Sequence, residues 1–189
     1  MRVMVVLMVV VVLAVTGALF AVGLYNRLVF LRVQCDRAWA NIDVLLKQRH
    51  DEIPKLVAVC DASMKFERET LERVIAARAA ATGASGVAAR AQAEGELSSA
   101  LGRLFAVAEQ YPELKTTQQF ASLAARVSQL ESEIADRREY YNDAVATYHV
   151  GLETFPANLI AGPAGFEKRE LFKVAAAETA DVQLKFTPP

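Results

Sequence analysis

The sequence predicts an all-α protein: an N-terminal transmembrane helix continuous with an antiparallel up-and-down four-helix bundle, followed by an irregular C-terminal tail. Three observations lead there. Residues 3–24 (VMVVLMVVVVLAVTGALFAVGL) hold no charge. Apolar and aromatic residues recur at helical steps through Phe120, Leu123, Val127, Leu130, Ile134, Tyr141, Val145, Tyr148, Leu152 and Phe155, with one longer gap across Arg137. A helix of that extent is about 54 Å long and needs partners along its whole length. Finally, Gly and Pro punctuate the chain between periodic stretches, and short turns favour antiparallel neighbours within one chain. An extended coiled coil that buries its stripes by self-association is the competing arrangement. The expected division is an anchor over 1–24, a bundle over 25–155 and a tail over 156–189.

The anchor is read from length. Residues 3–24 as helix cover about 33 Å, against about 30 Å of bilayer hydrocarbon. Arg2 with Ala21 and Gly23 offers the rival reading of a cleaved signal peptide, but the apolar run is long for one and flows directly into another helix. Arg27, Arg32 and Arg37 follow the span, whereas only Arg2 and the terminal amine precede it. By that count the main domain is expected on the cytoplasmic side of the membrane.

From Tyr25 the pattern turns amphipathic without a break. Leu28, Leu31, Cys35, Ala38, Ile42, Leu45, Ile53, Leu56 and Cys60 form one stripe, with Arg49 at the stripe position between Leu45 and Ile53. Pro54 is expected to kink or restart this helix. Trp39, the only tryptophan, sits at the core edge. Cys35 and Cys60 lie about 37 Å apart along one helix, too far for a disulfide, and read as small buried hydrophobes.

A second helix is expected from about Lys65 to Ala81, with Leu71, Val74, Ile75 and Arg78 on one side. The turn Thr82-Gly83-Ala84-Ser85-Gly86 leads to a third helix from about Val87 to Gln110, with Leu97, Leu101, Leu104, Ala108 and Tyr111 as its stripe. Pro112 ends it. Thr116 and Gln119 have the spacing of a capping box that starts the long helix. After Pro156, the residues Gly162, Pro163, Gly165, Pro188 and Pro189 forbid a long helix. Phe166, Leu171, Phe172, Val174, Leu184 and Phe186 call for packing against the bundle.

The net charge of −1 gives no basis for nucleic-acid binding. His50 and His149 belong to no metal-spaced pair, and adjacent His50 and Asp51 point apart on a helix. No nucleophile elbow or Gly-rich phosphate loop is present. Neither a cofactor nor a metal nor a catalytic residue is expected. The unusual feature is charge on the apolar seams at Arg49 and Arg137. A buried guanidinium without a partner costs several kcal/mol, so each calls for a carboxylate on a facing helix, with Glu109 and Glu133 as candidates. A register-setting ion pair is the first reading. A polar groove lined by Arg49, Asp51, Glu109 and Arg137, serving a small ligand or an enzyme reaction, is the alternative. Tyr140 is off the stripe and is the better interface residue.

The chain resembles the bacterial LemA family. The resemblance rests on YNRLVFLRVQCDRAWANIDVLLKQRHDEIPKLV (25–57), ELSSALGRLFAVAEQYPELK (96–115), REYYNDAVATYH (138–149) and FPANLIAG (155–162). Its most specific strings are W-x-N-I-D…R-H-D-x-I-P…L-V and A-E-x-Y-P-x-L-K. Matching positions include Trp39, Asn41, Asp43, Arg49, His50, Asp51, Pro54, Glu109, Tyr111, Pro112, Lys115, Tyr141, Asn142 and Pro156. Thr116-Thr117, His149 and Pro163-Ala164 depart from the family pattern. The resemblance implies a single-pass membrane protein with a helical bundle and no established catalytic residues. It also implies neighbours such as a membrane metalloprotease or a TPM-domain protein, and for some members a magnetosome setting. The expected function is a membrane-anchored scaffold that docks other membrane or envelope proteins. The candidate polar core or interface set is Trp39, Asn41, Asp43, Arg49, His50, Asp51, Glu109, Glu133, Arg137, Tyr140 and Asn142. Expected partners are the lipid bilayer through residues 3–24 and another membrane protein, with self-association open.

Overall fold

The computed structural model describes residues 1–64 and 67–173. Among them the secondary structure is all helical, without strands. Four long helices, α1 (Arg2–Ser63), α2 (Arg68–Gly83), α3 (Val87–Ala108) and α5 (Gln118–Glu153), are joined by the short α4 (Pro112–Thr116) and followed by α6 (Asn158–Ala161). The chain divides into two compact units. One is Met1–Leu46 with Ser132–Leu171, and the other is Lys47–Glu131 with the segment from Phe172.

In the first unit α1 begins as the apolar stretch. One 18-residue window of α1 reaches a mean hydropathy of 3.0, and none of that window is buried within the protein. Length and composition both suffice to cross a membrane. Beyond Leu24 the same helix buries Leu28, Cys35, Ala38 and Ile42, while α5 buries Ile134, Tyr141, Val145, Tyr148 and Leu152. The two helices run antiparallel here: Trp39 meets Tyr141 with ring centroids 5.5 Å apart, and Gly151 faces Leu31 and Leu28. A Cβ at Gly151 would come within 2.8 Å of the Leu31 side chain, so the absence of a side chain lets the helices close. The tail folds back as a strap. Phe166 is buried edge-on to Tyr25 at 5.5 Å and under the Arg32 guanidinium at 5.2 Å. The Tyr141 hydroxyl donates to the Glu170 carbonyl at 2.8 Å. His149 Nε2 accepts the Arg169 amide at 3.1 Å, and the Arg169 guanidinium donates to Asp36 at 2.8 Å.

The second unit encloses a core of Ile53, Leu56, Cys60 and Met64 with Leu71, Val74 and Ala81 of α2. Leu97, Leu101, Leu104 and Ala108 of α3, Leu114 of α4, and Phe120 and Val127 of α5 complete it. The α2–α3 turn ends at Gly86, whose φ of 85° lies in the left-handed region that favours glycine.

Several expectations are corrected. Pro54 does not restart the helix, which passes through it. Leu46, not Leu45, is the fully buried residue on that turn. Ile75 and Phe155 are exposed, not on the core stripe. The capping box is absent: Thr116 and Thr117 both donate to the Glu113 carbonyl, closing α4 instead of opening α5. Arg137 is exposed, and the half-buried residue between Ile134 and Tyr141 is Arg138. Of the tail residues expected to pack, Phe166 and Phe172 are buried. Val174, Leu184, Phe186, Pro188 and Pro189 lie outside the described residues.

Candidate functional site

The most charged interior position belongs to Arg49, which is 1% exposed. It reaches the interior because it follows the 3–4 spacing of the α1 stripe. Its planar fork is divided between two carboxylates: Nη2 donates to Glu94 of α3, and Nη1 donates to Glu131 of α5. Nη1 also donates to the Ser98 hydroxyl at 2.9 Å, and that hydroxyl donates on to Glu131 at 2.9 Å. One guanidinium thus ties three helices together. Lysine offers one point charge and lacks this geometry.

His50 adds a second layer. Its Nε2 lies 3.0 Å from Glu94 Oε1. Its Nδ1 stands 3.4 Å from the Thr82 hydroxyl. Burial by itself would raise the Glu94 carboxyl. The contact with His50 and the charge of Arg49 outweigh it and hold the group below its ordinary range. One cation facing two carboxylates leaves a single negative charge, and the His50 ring stands against it.

The His50 carbonyl is used as well. Pro54 has no N–H, so this carbonyl loses its helical donor. Arg78 of α2 supplies one, with Nε donating at 2.7 Å. This is why the helix runs through Pro54: the orphaned acceptor has a charged donor from the neighbouring helix.

The other sequence candidates fall elsewhere. Asn41, Glu133 and Arg137 line one groove with Val44, Leu45 and Asp136. Its volume is about 440 Å³, and Arg49 is no part of its wall. Trp39 packs against Tyr141 with the rings tilted by 56°, and Asn142 is half-buried next along α5. Asp43, Asp51, Glu109 and Tyr140 are exposed. Glu109 and Glu133 are the candidates for Arg49 and Arg137 together, and the carboxylates that meet Arg49 are Glu94 and Glu131. Glu94 had a signal: Ala91, Glu94, Leu97 and Leu101 share the α3 stripe. Glu131 is only half-buried beside Leu130 and Ser98 gave no signal, whereas Arg78 already stood on the apolar side of α2 with Leu71 and Val74. A second groove of about 570 Å³ runs between α1 and α2, lined by Ile53, Val57, Leu71, Ile75 and Arg78 among others. Among the described residues, no three His, Cys, Asp or Glu side chains are grouped to hold a metal ion.

Comparison with known proteins places this arrangement in a wider setting. A family model described as the LemA family matches residues 38–186. Magnetosome protein MamQ 2 of Paramagnetospirillum magneticum is 38% identical over 81 residues, covering 43% of this chain and 30% of that protein. Magnetosome protein MamQ of Magnetospirillum gryphiswaldense is 35% identical over 80 residues, 42% of this chain and 29% of its own length. The chain thus spans less than a third of these two relatives. Protein LemA of Metamycoplasma hominis is 23% identical over 163 residues, 86% of this chain and 72% of that protein.

Proposed function

Since this chain belongs to the LemA family, we propose that it is a membrane-anchored helical scaffold that docks another membrane or envelope protein and performs no reaction itself. The observation that carries the proposal is α1. Its first stretch is apolar and wholly unburied, and the same helix continues without a break into the folded domain. Such a helix holds a folded surface at a membrane. The Arg49 cluster supports a structural part for this buried cation, because both of its Nη groups are engaged, one by Glu94 and the other by Glu131 and Ser98. An arginine so engaged speaks for packing rather than for the centre of a receptor or enzyme groove at that position.

The docking face we assign is the groove of Asn41, Val44, Leu45, Glu133, Asp136 and Arg137, with Tyr140 exposed one turn further along α5. It joins an apolar floor to one cation and two carboxylates, and an exposed tyrosine beside such a patch suits a protein partner. The excess of arginine after the span supports a cytoplasmic position for this face at the inner membrane. The partner class suggested by family resemblance is a membrane metalloprotease or a TPM-domain protein.

The test is in-cell cross-linking of the full-length protein. A photoreactive residue is placed at Val44 or Tyr140, with Glu109 as an exposed control, and adducts are recovered through a C-terminal tag for mass spectrometry. One dominant foreign membrane protein trapped from Val44 and Tyr140 but not from Glu109 supports the scaffold. Adducts of the protein with itself alone replace it with self-assembly. No adduct above the control rejects this face.

A further inference from the structure

The corner that follows α5 is unusual in composition. From Thr154 to Phe166 the sequence reads TFPANLIAGPAGF, with no charge between Glu153 and Glu167. The corner is folded: Ala157, Ala161 and Phe166 are buried, and the Phe166 amide closes α6 by donating to the Ala161 carbonyl at 3.0 Å. Yet it turns two large apolar side chains outward, with Phe155 75% and Leu159 65% exposed. Pro163 and Ala164 are exposed beside them.

Its position gives those side chains a use. Within this unit α5 runs back along α1 toward the apolar span. Tyr141 lies against Trp39, and Gly151 lies against Leu31 and Leu28. Four more residues advance the chain by about 6 Å, which brings Phe155 level with the turn of α1 that follows Leu24. The far end of the corner agrees, because Phe166 is seated on Tyr25. The uncharged corner therefore stands where the span leaves the hydrocarbon. Tyr25, partly exposed, stands at the same level, the place aromatic side chains take at a membrane boundary.

We infer that the corner 154–166 is a second, interfacial membrane contact, which seats Phe155 and Leu159 in the lipid headgroup–acyl boundary beside the span. The inference rests on the anchor reading of residues 3–24. The lipid surface is the occupant because the exposed apolar patch continues the apolar surface of the span. The rim sets Lys168 against Glu153 at 2.6 Å, with Glu167 alongside. A rim of mixed sign draws no particular headgroup charge, so the contact is apolar and does not require anionic lipid.

The experiment uses the full-length protein reconstituted in phosphatidylcholine vesicles, in a Trp39→Phe background. Single tryptophans are introduced as Phe155→Trp, Leu159→Trp, Val44→Trp and Leu13→Trp, with helicity checked for each. Lipids brominated at shallow or deep acyl positions serve as quenchers. The tryptophans of Phe155→Trp and Leu159→Trp are expected to be quenched by shallow bromine roughly twofold or more above Val44→Trp, with blue-shifted emission. Val44 is the reference because it lies about 30 Å along α1 from Leu24. Water-like, unquenched emission at both corner positions overturns the inference. So does blue-shifted emission without lipid quenching, which assigns the patch to a second copy of the chain. Leu13→Trp reads the anchor separately. Deep quenching there with a silent corner rejects the interfacial contact alone, whereas loss of quenching at Leu13 rejects the anchor and the contact with it.

Discussion

Glu94→Ala removes one of the two carboxylates that neutralise Arg49 and leaves the guanidinium with Glu131 and Ser98. Arg49 is too enclosed to recover water. Breaking a buried ion pair costs about 3–5 kcal/mol, and the surviving Glu131 contact puts this case near the lower end, at about 3 kcal/mol. For a chain of this size the loss corresponds to a fall in melting temperature of about 6–12 °C. Glu131→Ala is milder, at about 1–2 kcal/mol, because Glu131 has a side chain 31% exposed and its loss leaves the buried Glu94 pair in place. Replacing the set together, as Arg49→Met with Glu94→Leu and Glu131→Gln, returns stability to within about 2 kcal/mol of the parent, since no charge is then stranded. The assay is thermal unfolding of the full-length protein in detergent, followed by circular dichroism. Glu94→Ala melting no lower than the surface control Glu139→Ala refutes the reasoning, as does a triple variant less stable than Glu94→Ala. The acid dependence has a definite sign. Glu94 is held below its ordinary value of 4.5, so its contribution is present above that pH and is lost as pH falls through the lower folded value. Glu94→Gln removes that part of the acid sensitivity, and an unchanged acid melting profile contradicts the assignment.

Further tests address the remaining contacts. Arg78→Met strands the carbonyl that Pro54 leaves without a donor and costs about 1–3 kcal/mol. Adding Pro54→Ala restores a helical N–H at that site, so the double variant should recover most of the loss in urea unfolding, and a purely additive result counts against the account. Burial raises the Cys35 thiol, and it pushes the Cys60 thiol up to about 11. Alkylation by iodoacetamide at pH 8 should therefore label neither until the protein unfolds, and rapid labelling of native protein would disprove this. Gly151→Ala should change stability by less than about 1 kcal/mol, because the gain in helix propensity offsets a shift of the flexible Leu31 tip. Gly151→Leu overfills the same contact and should cost about 1–3 kcal/mol. Equal melting temperatures for the two variants would show that α1 and α5 do not close there.

The periodic elements were legible from sequence because a helix face is a local property. The stripes over Leu28–Cys60, Leu97–Ala108 and Phe120–Leu152 match the buried positions at most steps. Arg49 was legible for the same reason: a charge at a seam position is conspicuous. Its partners were not, because which facing turn meets it depends on how three helices are set against one another, and several carboxylates lie within one or two turns. Glu133 was chosen where Glu131 serves, a difference of two residues that turns a side chain to another face. Arg137 failed through the gap in the α5 pattern. Arg137 is three residues from Ile134 and four from Tyr141, Arg138 the reverse, and periodicity does not separate them. The capping box at Thr116 failed because α4, a short helix with no stripe of its own, claimed the hydroxyl first. Pro54 misled because its missing donor is replaced from another helix, which no local rule can see.

The unbroken course of α1 past Leu24 has a geometric corollary. A helix turns about 100° and rises 1.5 Å with each residue. With no swivel between the apolar stretch and the turn that carries Leu28, the two share one rotational phase, like a key cut on its own shaft. Adding one residue at Leu24 would swing the Leu28–Cys35–Ala38 face by more than a quarter turn relative to the lipid-facing stretch. Adding seven would bring it nearly back into alignment, displaced by about 10 Å along the axis. Length changes at this junction are therefore quantised: only steps that keep the phase leave the same side of the domain turned toward whatever shares the membrane with it.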